Sequence, residues 1–212
     1  MDAKFSPRVR EIMFRSHEEA VKLGNSYIGL EHLFLGIIDG KDNDVTNILD
    51  ELKLDIEAFK QKLVASIKSN IVEKNNTDNI PLTKQTERAL KFTYIVAKEF
   101  NCEFVDPEHL MLAILHDDNN IVSQRLEYEG INYDIFKSKL RKNNITKEDD
   151  IIDEYFMESK RRLIKMVADN PENGEYALDL LMVAKYFERI GDHATNIAEW
   201  VIFSVTGVHE ES

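Results

Sequence analysis

The stretch Ile28-Gly29-Leu30-Glu31-His32-Leu33-Phe34-Leu35-Gly36 decides the fold, because its centre returns 77 residues later as Glu108-His109-Leu110. At that shift the register holds without a gap in both directions. Upstream, Phe5-Ser6 falls on Leu82-Thr83, Ala20 on Ala97 and Leu23 on Phe100. Downstream, Leu35 falls on Leu112, Ile37 on Ile114, Val45 on Val122 and Leu49 on Leu126, and the match continues with Leu54 on Ile131, Phe59 on Phe136 and Leu63 on Leu140. Apolar positions meet apolar positions throughout, the pattern a duplicated fold with a shared core requires.

Each copy reads as about four helices. Ser6 and Thr83 are N-cap residues, and Pro7 follows at the first helical position, where its missing N–H costs nothing. The first helix runs to Gly24, a glycine suited to a left-handed C-cap. Asp106-Pro107 opens the second helix of the second copy in the same manner. The copies span residues 5–67 and 82–144, joined by an Asn-rich linker over 69–81, and together form a domain of residues 1–144. Residues 145–212 form a second segment.

Composition agrees. At about 150 residues per domain, 212 residues make one or two compact units. Eight glycines and four prolines in a chain that is 31% charged and 43% apolar exclude an all-β fold and favour long helices with short connections. The net charge of −12 excludes a nucleic-acid binder that works by neutralising phosphates. That charge is uneven: residues 1–147 carry a net −3 and residues 148–212 a net −9. The uncharged run from Trp200 to Val208 is far short of the ~20 residues that span a bilayer. Met1-Asp2-Ala3-Lys4 lacks a signal-peptide pattern, and Cys102 is a lone cysteine with no intramolecular partner, so a cytoplasmic location is expected.

Phe5-Ser6 before a helix, then Leu23-Gly24, then the Ile28–Gly36 stretch, with Glu-His-Leu doubled, resembles the Clp N-terminal (Clp R) repeat domain that precedes the ATPase rings of ClpA- and ClpC-type unfoldases. The resemblance covers residues 4–144. It implies an all-α duplicated four-helix domain that recruits substrates and adaptors or docks with Clp machinery, and, in the ClpC type, recognises phosphorylated arginine. Carried over, the family site pairs Ser6 with Glu31 and Thr83 with Glu108. A helix N-terminus offers free N–H groups to a phosphate, and a carboxylate takes a guanidinium through charge-assisted bonds. The alternative is that the hydroxyls only cap helices and the glutamates only occupy first turns. No Gly-x-x-x-x-Gly-Lys-Ser/Thr occurs in the chain, so no ATP site and no motor are expected. His32 and His109 lack a second His or Cys at ligand spacing and read as structural. His17-Glu18-Glu19 is followed by Val21 and makes no zinc helix.

The acidic tail differs. Asp149-Asp150-Ile151-Ile152-Asp153 is expected to open a helix ending near Asp169, with the first-turn aspartates suiting the macrodipole. Asn170-Pro171 breaks it, and a second helix reaches Thr206-Gly207, giving an antiparallel hairpin. On that second helix Leu180, Val183, Phe187, Ile190, Ala194, Ile197 and Val201 make an apolar face. Glu188, Asp192 and Glu199 share another stripe with Ala177, Leu181 and Ala184. Buried carboxylates must be protonated, paired or metal-bound. Asp149 and Asp153 flank Ile152, Phe156 and Leu163, so folding the hairpin brings both acid pairs to one seam. Such oxygen-rich groups suit Mg, Mn or Fe, whereas Lys185 and Arg189 supply counter-charge if the face is solvated.

Asn170-Pro171-Glu172, Tyr176-Ala177-Leu178-Asp179-Leu180-Leu181 and the run Ala184–Trp200 resemble the C-terminal end of PhoU, a regulator of phosphate uptake. The resemblance implies metal binding through the repeated Glu/Asp-x-x-x-Asp motif, here Asp149 with Asp153 and Glu188 with Asp192. It also implies partners among phosphate-transporter ATPases and sensor kinases. Only the last two helices of a PhoU bundle are matched, over residues 148–207, so self-association that restores a bundle is expected. The sequence thus describes a non-enzymatic regulatory or adaptor protein. A phosphate-response regulator with the Clp repeats as scaffold is the second reading. A metal-dependent hydrolase comes last, because no nucleophile–base constellation supports it.

Overall fold

The computed structural model describes residues 4–40, 43–68 and 80–207; most of the expected linker, residues 69–79, lies outside them. The chain divides into two compact units, Met1–Phe136 and Lys137–Ser212.

In the first unit the elements recur in the order the repeat demands. Strand β1 (Lys4–Phe5) leads into α1 (Pro7–Lys22), followed by α2 (Leu30–Ile38), α3 (Asp44–Glu51) and α4 (Ile56–Ile67). The second copy has α5 (Lys84–Glu99), strand β2 (Phe104–Val105), α6 (Pro107–Leu115), α7 (Ile121–Tyr128) and the start of α8 (Tyr133–Asp169). The quoted stretch becomes the buried heart of the unit. Leu30, Leu33, Phe34, Leu35 and Ile37 of α2 are buried, as are Leu110, Met111, Leu112 and Ile114 of α6. A helix apolar on every side is a core helix. Accordingly α2 packs on α1, α6 packs on α5, and α2 and α6 touch each other. Gly36 permits the α1–α2 approach: a Cβ there would lie 2.7 Å from the Ile12 carbonyl and 2.6 Å from Ser16 Oγ.

The duplication extends to backbone detail. The left-handed positions come in pairs 77 residues apart, Gly24 with Asn101 and Lys53 with Gly130. Asn43 and Asn120 cap α3 and α7, and each also donates its amide to an equivalent carbonyl, Ile37 or Ile114, at 2.9 Å. Between the copies the chain crosses over. β1 lies parallel to β2 with Phe5 opposite Val105, and the equivalent residues Leu82 and Ile28 form an isolated parallel bridge. Each copy's leading segment is therefore held by the other copy. Val9, Ala97 and Val105 close a small apolar cluster around this crossing, with Phe5 and Cys102 packed against it.

In the second unit, α8 turns through Asn170 and a short 3-10 segment, Pro171–Asn173, into α9 (Gly174–Thr206). Asn170 Oδ1 accepts the Glu172 N–H at 3.1 Å, and Pro171 occupies the first position. The two helices are antiparallel, as the contacts Lys142–Glu199 and Asp149–Gly191 require. Two expectations are corrected here. No helix starts at Asp149, and no break marks residue 144, because α8 runs unbroken from Tyr133 to Asp169. That span contains neither Gly nor Pro, so nothing in it stops propagation. Asp149 and Asp150 sit in mid-helix, where the macrodipole no longer explains them.

The helices pack through the small-residue stripe that holds Ala177 and Ala184, and not through the larger apolar face. Ala177, Gly191, Ala198 and Ile202 are buried, while Val183, Phe187, Ile190, Ile197 and Val201 are exposed. Small residues at sevenfold spacing, Ala177, Ala184, Gly191 and Ala198, let α9 lie close against α8. The larger apolar side chains remain outside the seam.

Candidate functional site

The first unit carries two related sites, each at paired helix heads. Ser6 is buried, its Oγ accepts the Val9 N–H at 3.3 Å, and its own N–H donates to the Val105 carbonyl at 3.0 Å. Thr83 Oγ1 accepts the Thr86 N–H at 3.1 Å, and its N–H donates to the Ile28 carbonyl at 3.1 Å. Thr86 Oγ1 donates to that same carbonyl at 3.0 Å. The strand register thus sets Ser6 beside Asp106, two residues before Glu108, and Thr83 beside Gly29, two residues before Glu31. The site carried over from the family resemblance pairs Ser6 with Glu31 and Thr83 with Glu108. The structure brings together Ser6 with the Glu108 helix and Thr83 with the Glu31 helix, because the leading segments are exchanged between copies.

Parallel entry makes the N-termini of α1 and α6 neighbours, and likewise those of α5 and α2. Each pair sets two positive helix ends side by side, with Pro7 and Pro107 bringing no N–H and Ser6 and Thr83 each accepting one first-turn N–H. The Glu31 side chain, 13% exposed, folds back over Gly29, where a Cβ would overlap its carboxylate. Burial pushes the Glu31 carboxyl above the usual range, opposed by its own backbone N–H. Burial and then the Glu31 charge push the Tyr27 phenol up.

His32 and His109 are built into the helix starts. His32 Nδ1 accepts the Gly29 N–H at 3.0 Å while Nε2 meets Asn25 Oδ1 at 3.1 Å, and His109 Nδ1 accepts the Asp106 N–H at 2.9 Å. Burial lowers the His32 imidazole to about 4, and lowers His109 as well. In both copies the ring is a neutral helix-start cap. In the second copy Cys102 stands where Asn25 stands in the first, its thiol raised by burial and by the charges of Glu108 and Asp106. Among the described residues, Asp106, Glu108 and His109 bring three ligand-type atoms within 4.8 Å of one another. With Nδ1 of His109 engaged by a backbone N–H, this group is accounted for as a capped helix start.

In the second unit the four predicted acids share one side of the seam. Asp149 Oδ1 and Glu188 Oε2 are buried and, among the described residues, have no hydrogen-bond partner. Asp149 contacts Gly191, whose missing side chain makes room for the carboxylate. Burial raises the Asp149 carboxyl, followed by the charges of Asp153, Asp192, Asp150 and Glu188. Lys185 pairs with the other oxygen of Glu188 and sits over the Phe156 ring, 5.3 Å from its centroid. Glu199 pairs with Lys142 at 3.4 Å. Asp153 and Asp192 are exposed. Two orphaned buried oxygens amid like charges fit a cation, although the four carboxylates do not gather three oxygens as tightly as the Asp106 group does.

Comparison with known proteins follows the same division. The Clp repeat (R) N-terminal domain matches residues 4–128, and the PhoU domain matches residues 133–201, taking in the whole start of α8. ClpB of Oceanobacillus iheyensis is 24% identical over 131 residues, which is 62% of this chain and 16% of that protein. The negative regulator of genetic competence ClpC/MecB of Bacillus subtilis is 25% identical with the same coverage. A phosphate-specific transport system accessory protein PhoU homolog of Deinococcus radiodurans is 40% identical over 70 residues, 33% of each chain. The chain thus spans about a sixth of the Clp relatives and a third of the PhoU relative. The Hsp104 N-terminal domain of Candida albicans shares the fold of the first unit, with a TM-score of 0.55 at 16% identity over 64% of this chain and 88% of that one. Among the described residues no helix is long and apolar enough to cross a membrane. With more than half its length matched, the chain belongs to the Clp repeat N-terminal domain family, and residues 133–201 directly behind that repeat match the PhoU domain.

Proposed function

We propose that this chain is a non-enzymatic regulatory adaptor. Its first unit captures a ligand that carries both an anionic and a cationic group, as phosphoarginine does, and its second unit carries a PhoU-type cation site. The observation that carries the reading is the crossed pairing of helix heads. Two N-termini lie side by side with the Glu31 carboxylate at one pair and, by the repeat, Glu108 at the other. A phosphate suits the N–H groups and a guanidinium suits the carboxylate, so a phosphoguanidine satisfies both ends of each site. Substrates or adaptors of Clp machinery marked in this way are the expected partners.

Calorimetry with free phosphoarginine tests this. Wild type is expected to take up two equivalents, and Glu31→Ala and Glu108→Ala each to remove one of them. The loss at each site is on the order of 10- to 100-fold, given about 1.5–3 kcal/mol for a charge-assisted bond. Because the sites are crossed, adding Thr83→Val to Glu31→Ala removes nothing further, whereas adding Ser6→Ala weakens the remaining site. Absence of heat in wild type defeats the reading.

In the second unit Asp149, Asp153, Glu188 and Asp192 would hold Mg, Mn or Fe, which would neutralise the seam. A second reading gives the hairpin the leading part: a phosphate-response regulator that acts on a phosphate-transporter ATPase or a sensor kinase, with the Clp copies as scaffold. The higher identity of the hairpin to its relative, 40% against 22–27% for Clp relatives, favours it. Capture of that transporter ATPase by the full chain, unchanged by Glu31→Ala with Glu108→Ala, would select this second reading.

A further inference from the structure

We propose that the open apolar face of the α8–α9 hairpin is a docking surface for a second copy of this chain, the two hairpins meeting antiparallel as a four-helix bundle. The face is continuous. A groove of 530 Å³ between the helices is lined by Ile152, Phe156, Leu163, Leu180, Val183 and Phe187. Tyr155, Val183 and Phe187 of the groove, and Tyr176, Ile190 and Ile197 at helical spacing on the same face of α9, are each 50–65% exposed.

The area matches what a stable pair needs. Taking ~150–250 Å² for a large side chain, these six expose on the order of 800 Å², close to the about 800 Å² per partner of a standard interface. Exposed apolar surface on that scale marks an interaction site. Length narrows the occupant. α9 has 33 residues, about 50 Å at 1.5 Å per residue. Helices α1 to α7 have at most 16 residues, and their apolar faces are used in the first unit's core. A second hairpin matches the length and offers the same largely apolar stripe, with Arg162 at the groove.

Charge sets the direction. Outside the seam, residues 148–154 of α8 hold three exposed acids (Glu148, Asp150 and Glu154), and residues 160–165 hold four exposed bases (Lys160, Arg161, Arg162 and Lys165). A parallel pair would align acid with acid, whereas a two-fold antiparallel pair sets the acidic segment of each copy near the basic segment of its twin. The seam carboxylates lie on the other edge of the packed stripe and stay available.

Sedimentation velocity of the full chain over micromolar concentrations is expected to show a species of twice the 24.6 kDa chain mass. Phe187→Glu and Ile190→Glu, both at exposed positions, are expected to keep the helical circular dichroism while raising the dimer dissociation constant at least tenfold. Tyr128→Glu, at a 91% exposed residue of the first unit, is expected to leave the dimer intact. Spin labels at Glu172→Cys in a Cys102→Ser background should lie far apart, at opposite ends of the bundle. A monomeric wild type would leave the face to a different protein and overturn the proposal, as would a dimer indifferent to Phe187→Glu. Turn labels lying close together would overturn the antiparallel arrangement.

Discussion

His32 and His109 do at the helix heads what a glutamate or glutamine usually does in a capping box, with a ring nitrogen as the acceptor. That role requires neutrality, and burial enforces it. The consequence is a pH dependence with a definite sign. In the unfolded chain the imidazole takes up a proton below about 6.5, whereas folded His32 resists protonation down to about 4. The stabilisation from the neutral cap is present in full above about 6.5 and is lost as pH falls towards 4, because the unfolded state then binds more protons. At about 1.4 kcal/mol per unit the loss at His32 is of order 3 kcal/mol, with His109 acting in the same direction. Glu31 acts oppositely, since its raised carboxyl favours the fold at low pH and withdraws that help as pH rises through its folded value. Urea unfolding across this range is expected to show stability falling on acidification. His32→Gln, which keeps a cap acceptor without a titrating ring, should remove most of that fall; an unchanged slope would refute the assignment.

At the scale of elements, the hairpin seam depends on Gly191 as much as on its acids. A Cβ at Gly191 would overlap the Asp149 carboxylate, the free end of a side chain able to swing aside. Gly191→Ala is therefore expected to change the melting temperature little while lowering Mn²⁺ affinity at least tenfold, a split read by circular dichroism and calorimetry. Equal Mn²⁺ binding in the variant would remove Asp149 from the site. This seam was only partly legible in the sequence. The acid pairs and their meeting across the hairpin could be read from i, i+4 spacing. The packed stripe was harder to see, because Leu180, Phe187 and Ile190 have the look of a core face, while the true contact is signalled by alanines and a glycine at intervals of seven. The continuity of α8 was hidden for a different reason. Asp149-Asp150 resembles a helix start, and only the lack of Gly or Pro from Tyr133 onward points the other way. Asn43 and Asn120, equivalent caps in the 77-residue register, are legible as a pair of matched helix starts.

Across the whole molecule, the 77-residue shift accounts for nearly all of the first unit's core, from Val9 and Ala20 to Phe136. A fragment of residues 1–147 is therefore expected to melt cooperatively and to bind phosphoarginine within about twofold of the full chain, since 1.4 kcal/mol already corresponds to tenfold. A non-cooperative melt would show that the hairpin is needed to complete the fold. The crossing of the leading segments left no such trace in the sequence, because two residue pairs of parallel strand carry no periodicity, and it sets Ser6 beside the helix of Glu108 and Thr83 beside that of Glu31. Its consequence reaches past this chain. Under the proposed function, deleting one copy is expected not to halve phosphoarginine binding but to abolish it, since the survivor keeps a carboxylate without the other copy's helix head beside it. A solitary unit would form either helix-head pair only with its own twin, a partnership that the tandem copies hold within one chain.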